Sequence, residues 1–255
     1  MPTACLPCFS RRRSCSPKVE SASLCSTRVP VVEYTDALSE PETDKHLYQA
    51  RVDYFRDLCI DPTFINETTD SEVVLCHKPR RNSEPLIARG SLTIPDWSPQ
   101  DLRQVSDLIL DSSKRHSWDC DLNSIETLDH QSLSETDSLV RVWASFKGRY
   151  GFQGREFFWV TFATVSDTEI VHVTVSGDDD GIERHAGKLS RGRTVFGGLC
   201  IRKTCTGGTD MILINQTDLG NRGSNFIPEW IVDSVMKKSP LKLTSIKNFI
   251  IDFTS

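Results

Sequence analysis

No apolar run in the 255 residues approaches the roughly 20 that a membrane-spanning helix needs. Basic residues are not in surplus. Lys and Arg number 30 against 35 Asp and Glu, and the net charge of −5 gives no electrostatic case for nucleic-acid binding. The nine cysteines are odd in number, a cluster at Cys5, Cys8, Cys15 and Cys25 and a scatter beyond, with no secretory signal before them, which argues against a disulfide framework and for free thiols in a reducing compartment. Metal motifs are missing too. Cys5-Leu6-Pro7-Cys8 has no second Cys or His pair at usable spacing, and after Asp178-Asp179-Asp180-Gly181 a calcium loop's next ligand place falls on Ile182. The six histidines are dispersed, and no Ser or Cys lies in a recognisable nucleophile turn near one of them in sequence. The expectation is a soluble or peripherally attached protein without metal or other cofactor.

What is present divides at about residue 42. Residues 1–42 are rich in Ser, Pro, Thr and Cys with little apolar periodicity and read as a disordered leader; residues 43–255 read as the folded domain. Leu47, Ala50, Tyr54, Phe55 and Leu58 recur at helical spacing over 43–59. Ser71–His77 and Leu86–Ile94 read as strands of a hairpin, and Ser98-Pro99-Gln100-Asp101 as the capped start of a second helix ending near Arg115. Strand candidates then follow over 124–129, 139–146, 156–165, 169–175, 194–203 and 209–217, joined by connections too short for parallel crossovers, with Gly207-Gly208 at a tight turn.

The chain closes on Ile227, Trp230, Ile231 and Val235 at i, i+3, i+4 and i+8, continued beyond Pro240 by Leu243, Ile246, Phe249 and Ile250. This predicts a long amphipathic helix that Pro240 kinks or splits, with Pro228 in its first turn and Asn225 as a candidate N-cap. Segregated helices and strands of this kind are α+β, not an alternating nucleotide-binding sheet. The strand Phe157–Phe162 is apolar on both faces, so the terminal helix has a natural partner in this sheet.

Four motifs recur in order across residues 44–251: Trp118-Asp119 after a helix, Gly154-Arg155-Glu156-Phe157-Phe158 opening a strand, Asp218-Leu219-Gly220 closing one, and Ile227-Pro228-Glu229-Trp230-Ile231-Val232 opening the last helix. Together they resemble the START family, the lipid-transfer domains related to the steroidogenic acute regulatory protein. The resemblance implies a helix-grip fold, a curved antiparallel sheet wrapped around a long C-terminal helix, with one lipid held between them and no covalent chemistry. The terminal helix and nearby loops would act as the lid, with the lengthened segment 221–225 as its hinge. The family usually shows Arg-Asp where this chain has Arg155-Glu156. Some sterol-binding relatives carry an acid and a base inside the cavity, and the matching positions here are Val142 and Thr161.

Strand and helix periodicity selects Val142, Ala144, Trp159, Thr161, Val171, Val173, Met211, Leu213, Ile231, Val235, Ile246 and Phe249 as one apolar set. By periodicity alone these fill a solid core; by the resemblance they line a cavity, with Thr161, Asn215 and Arg191 as the polar groups that orient a ligand. Trp118-Asp119 reads as a capping and packing feature, and Arg155 with Glu156 as a structural ion pair. His172 alternates with Val171 and Val173 and is expected on the outer face.

The expected partners are a phospholipid, sterol or sphingolipid and a membrane surface, for a monomeric chain in the cytoplasm. Cys5, Cys8 and Cys15 beside Arg11-Arg12-Arg13 resemble an S-acylation cluster with a basic patch; a mitochondrial transit peptide and an unmodified tail compete with that reading. Two rival functions stay open: an interaction module with a filled cavity, recruited to membranes by its leader, and a helix-grip enzyme, which would need a buried His or acid at the pocket.

Overall fold

The computed structural model describes residues 41–67, 71–80, 84–148, 152–177, 189–220 and 227–254. The leader with Cys5, Cys8 and Cys15, the 178–182 segment and the 221–225 hinge therefore lie outside the described residues.

Helix α1 (Pro41–Ile60) precedes strands β1 (Ile65–Asn66), β2 (Val74–Lys78) and β3 (Ile87–Ile94), then helix α2 (Leu102–Leu110) and a 3-10 turn at Ser112–Ser117. Strands β4 (Leu122–Ser132), β5 (Asp137–Phe146), β6 (Arg155–Val165), β7 (Glu169–Ser176), β8 (Ser190–Arg191), β9 (Arg193–Lys203) and β10 (Thr209–Asp218) follow. The chain ends in α3 (Glu229–Lys238), a 3-10 turn at Ser239–Leu241 and α4 (Lys242–Thr254). One sheet runs in the order β1-β2-β3-β10-β9-β7-β6-β5-β4, antiparallel throughout that path, and short β8 pairs with β6 in parallel.

The sheet has two covered faces. On the convex one, Tyr48, Val52, Phe55 and Leu58 of α1 pack with Val160, Phe162, Val171, Val173, Phe196 and Cys200. Tyr48 stacks on Phe162 with ring centroids 5.2 Å apart. Arg89 on β3 closes the end of α1 by donating to the carbonyls of Leu58 (2.8 Å), Cys59 (3.2 Å) and Asp61 (3.0 Å), groups that a helix end leaves without partners. On the concave face, α2 and α4 build a second core with Leu92, Ile94, Ile170, Leu199, Ile201 and Met211.

Three local expectations are corrected. The N-cap of α2 is Asp101, not Ser98: its carboxylate accepts from the backbone N–H groups of Arg103 (2.8 Å) and Gln104 (3.1 Å), so Pro99 precedes the helix. The helix stops at Leu110 because Asp111 is extended, and Asp111 then caps the 3-10 turn that carries the chain past Arg115. In α3, Pro228 occupies the N-cap position and offers no side-chain cap.

The joint at Pro240 is present. It is a turn of 3-10 helix, and Pro240 is buried against β3. A Cβ on Gly90 would sit 2.6 Å from the Pro240 ring, so a glycine at that point of β3 lets the helix cross close to the sheet. Beyond the joint, α4 buries Leu243, Ile246, Phe249 and Ile250, as the spacing predicts. Before it, the stripe is turned. Val232 and Met236 are buried with Ile227, while Trp230 is 73 % exposed and Val235 42 %. α3 packs on Leu86 and Ala88 of the β3 side through Ile227, Val232 and Met236, Val235 lies at the border of a hollow, and Trp230 points away from both.

Candidate functional site

The hollow is a cavity of about 730 Å3 between the concave face and the helices. Its floor follows from strand pairing, because directly paired residues share a face. Thr161 pairs with Thr174, Thr174 with Gly197 and Gly197 with Asn215, so one level of the floor across β6, β7, β9 and β10 is a polar band interrupted by a glycine. Thr161 and Thr174 share a hydrogen bond of 2.9 Å, and the Asn215 amide donates to the Ser239 hydroxyl at 3.1 Å. Val142 and Trp159, themselves paired, continue the wall as apolar surface.

Of the sequence-selected positions, Val142, Trp159, Thr161, Leu213 and Asn215 line the cavity from strands, and Ile231, Val235 and Ile246 from helices. The others lie elsewhere. Ala144 is fully buried beside Val142 and Trp159 without reaching the cavity surface, and Met211 and Phe249 belong to the solid core between sheet, α2 and α4. Val171 and Val173 face α1 on the convex side. Arg191 turns to Glu156, with Nη2 to Oε1 at 3.0 Å, and is absent from the wall. Glu156 also accepts from the Trp143 indole at 3.2 Å, while Arg155 donates to the carbonyls of Leu219 (2.8 Å) and Gln153 (2.5 Å). The expected Arg155–Glu156 pair is therefore replaced by separate partners, since neighbours along a strand point to opposite faces.

His172 reverses its expected side. It is buried, lines the cavity, and its Nε2 lies 2.8 Å from the Ser106 hydroxyl of α2. Burial pushes its pKa down from 6.5 to about 4, so the ring is neutral at pH 7. Polar His172 and Thr174 face inward and Val171 and Val173 outward because the outer face is not water but α1. The usual rule that the apolar face looks inward fails when both faces are covered.

The feature that sequence reasoning missed is Arg115. It lines the cavity with 27 % of its side-chain surface open, its guanidinium 4.7 Å from the Trp118 ring centre and 5.3 Å from that of Trp159. Burial lowers its pKa, against the pull of Asp119. The nearest charge is the Asp119 Oδ2 at 3.6 Å, too long for a good hydrogen bond. Asp119 is engaged through Oδ1 by Lys242 at 2.6 Å, which ties the first residue of α4 to the turn. The Nε of Arg115, the indole N–H of Trp118 and Oδ2 of Asp119 are all buried without a hydrogen-bond partner. Trp118 and Asp119 thus line the cavity as well as pack. The signal in the sequence was the i, i+4 spacing of Arg115 and Asp119, which marks one face of a helical turn.

A family model described as the START domain matches residues 92–248, more than half of the chain. The chain belongs to the START family. Its fold is that of START structures. Human StAR-related lipid transfer protein 5 superposes with a TM-score of 0.68 at 16 % identity, over 84 % of this chain and 99 % of that one. Human STARD10 gives 0.65 at 14 % identity over 79 % of each chain. The lipid transfer and protein localization domain of human StarD13 gives 0.55 at 16 % identity, over 80 % and 96 %. Identities this low carry the START fold and not a ligand. No curated protein matches the sequence.

Proposed function

We propose that the protein binds one lipid in this cavity and carries or senses it without covalent chemistry. The observation that supports the reading is a cavity of about 730 Å3 with mostly apolar walls and, among the described residues lining it, three buried polar atoms without a hydrogen bond: Arg115 Nε, Trp118 Nε1 and Asp119 Oδ2. A group left so costs about 1–3 kcal/mol, which a ligand with acceptor oxygens would offset at the two N–H donors. Such oxygens belong to a phosphate ester or a carbonyl, so the polar end of the lipid lies at Arg115. Its chains lie along Val142, Trp159 and Leu213, with about 25 cal/mol gained per Å2 of apolar surface removed from water. Membrane contact, the lipid class and a monomeric state are parts of this reading.

The test is direct. Purified protein is incubated with vesicles of a total lipid extract, re-isolated and extracted for mass spectrometry. One lipid per protein is expected, and absence of both stoichiometric lipid and transfer between vesicles sinks the proposal. The leader belongs to the same reading as a peripheral anchor on a cytoplasmic protein. Replacing Cys5, Cys8 and Cys15 by Ser should release the chain from membranes, and unchanged fractionation counts against acylation.

A second reading, an enzyme, is favoured by one observation: a buried histidine at the cavity, 2.8 Å from a serine hydroxyl. A base is most effective with a pKa near the working pH, and His172 at about 4 is far from it. Ser106 is buried and does not line the cavity. Hydrolysis of a short-chain ester that disappears in His172→Gln with fold and lipid binding kept would favour the enzyme.

A further inference from the structure

A second chamber adjoins the cavity. It holds about 710 Å3 between the end of α2, the Ser112–Ser117 turn and strands β4 and β5, and its rim includes Asp107, Asp111, His116, Glu126 and His130. Among the described residues, Leu110, Ser112, Ile125 and Val140 line both chambers. The two spaces meet at these side chains, and three of the four are apolar.

The frame around this partition is lightly built on its β4 side, whereas Lys242 on Asp119 at 2.6 Å ties the end of the turn to α4. No residue of the Ser112–Ser117 turn is buried as a whole, the Arg115 Nε being its one buried unpartnered polar atom. β4 is an edge strand, and its pairing with β5 shifts between Leu122 and Ser124 and again between Thr127 and Asp129. An exposed hydrogen bond between the Ser112 and Thr127 hydroxyls joins turn to strand. Short 3-10 pieces, bulged edges and exposed hydrogen bonds are where local opening takes least free energy. The opposite rim is more strongly fastened. α3 is held by Arg80 to Asp233 at 2.8 Å, by Lys237 to Glu67 at 2.8 Å, and by Ile227, Val232 and Met236 packed on Leu86 and Ala88.

We infer that the partition of Leu110, Ile125 and Val140 is a side entrance to the cavity, opened when the Ser112–Ser117 turn moves off β4. The inference rests on reading the cavity as a lipid site. The lining of the outer chamber has Asp107, Asp111 and Glu126 and no Lys or Arg among the described residues; Lys114 lies 3.7 Å from Asp111, and the remaining excess of carboxylates favours passage of a neutral or zwitterionic polar end over a free carboxylate. Arg115, on the cavity side of the same turn, then receives the phosphate or carbonyl oxygens after entry.

The test uses the full chain loaded from vesicles of a 13C-labelled total lipid extract and chased into unlabelled vesicles of the same composition. Mass spectrometry of re-isolated protein gives the exchange rate of whatever lipid is bound. Ile125→Ala, which thins the partition, should speed exchange of the lipid that is bound by about threefold or more, and Ile125→Trp should slow it. Glu67→Gln with Asp233→Asn, which unfastens α3, should accelerate less than Ile125→Ala. Thermal unfolding checks that each variant is folded; should Ile125→Trp not fold, Ile125→Ala decides. Exchange that is insensitive to Ile125→Ala, or more sensitive to unfastening α3, overturns the side entrance. Wild-type protein that takes up no lipid at all overturns the lipid reading itself, a different result.

Discussion

The two faces of the sheet are covered by helices of the same chain and differ in how they are filled. On the convex side α1 presses Phe55, Val52 and Tyr48 into a continuous core with Phe162 and Phe196. On the concave side the sheet meets solid packing only toward α2 and α4, and beyond it lies the cavity with a polar band, a buried histidine and an arginine between tryptophans. A single strand such as β7 serves both, with valines toward α1 and His172 and Thr174 toward the hollow. Stability can therefore be concentrated on one face while the other keeps groups that packing alone would not select.

Substitutions on the two faces should separate these roles. Phe55→Ala, at a residue with no exposed surface, should lower unfolding free energy in urea by about 3–5 kcal/mol while lipid per folded molecule is unchanged. Equal loss of lipid in the folded fraction would break the division. His172 should give the next effect. Its folded pKa of about 4 lies below the ordinary 6.5, so the unfolded chain binds the extra proton first as pH falls. Stability contributed by the neutral ring is fully present above about pH 6.5 and is lost as pH drops toward 4, by about 3 kcal/mol from this group. Urea melts at stepped pH should show that decline in wild type and a flatter profile over the same window in His172→Gln.

Thr161→Trp tests the hollow itself. A cavity accepts the ring with stability kept to within about 1 kcal/mol and lipid excluded, whereas a filled core would lose about 1–3 kcal/mol through overpacking. Trp230→Ala should be the mildest in stability, within about 0.5 kcal/mol, because its side chain is 73 % exposed. If α3 meets a bilayer, the same change should weaken vesicle binding measured by co-sedimentation. Unaltered co-sedimentation would leave Trp230 without a role in membrane contact.

Much of this architecture is legible in the residues. Leu243, Ile246, Phe249 and Ile250 repeat at helical spacing and are the buried face of α4, and the strand candidates from 124 to 217 fall within β4 to β10. The errors fall where contacts with other elements decide. Ser98 lost the cap to Asp101, whose carboxylate takes the N–H groups of Arg103 and Gln104 and starts the helix three residues later than the Ser-Pro pair suggests. Val173 and His172 exchanged faces because alternation gives the period of a strand and not its direction when both sides are covered. Val235 read as core because apolar spacing cannot tell a helix laid on a solid sheet from one laid along the rim of a hollow, and Trp230 because spacing does not say how wide the covered face of the helix is.

The sequence by itself determined the order of helices and strands, the joint at Pro240 and the family to which four short motifs belong. These are local properties: periodicity, a proline's missing N–H and the spacing of a few residues. Tertiary structure alone decided that Arg115 lies between Trp118 and Trp159, that His172 faces Ser106, and that the sheet is packed on one side and hollow on the other. Those facts depend on which distant segments meet, and burial and pKa follow from that meeting rather than from the residues' own identity.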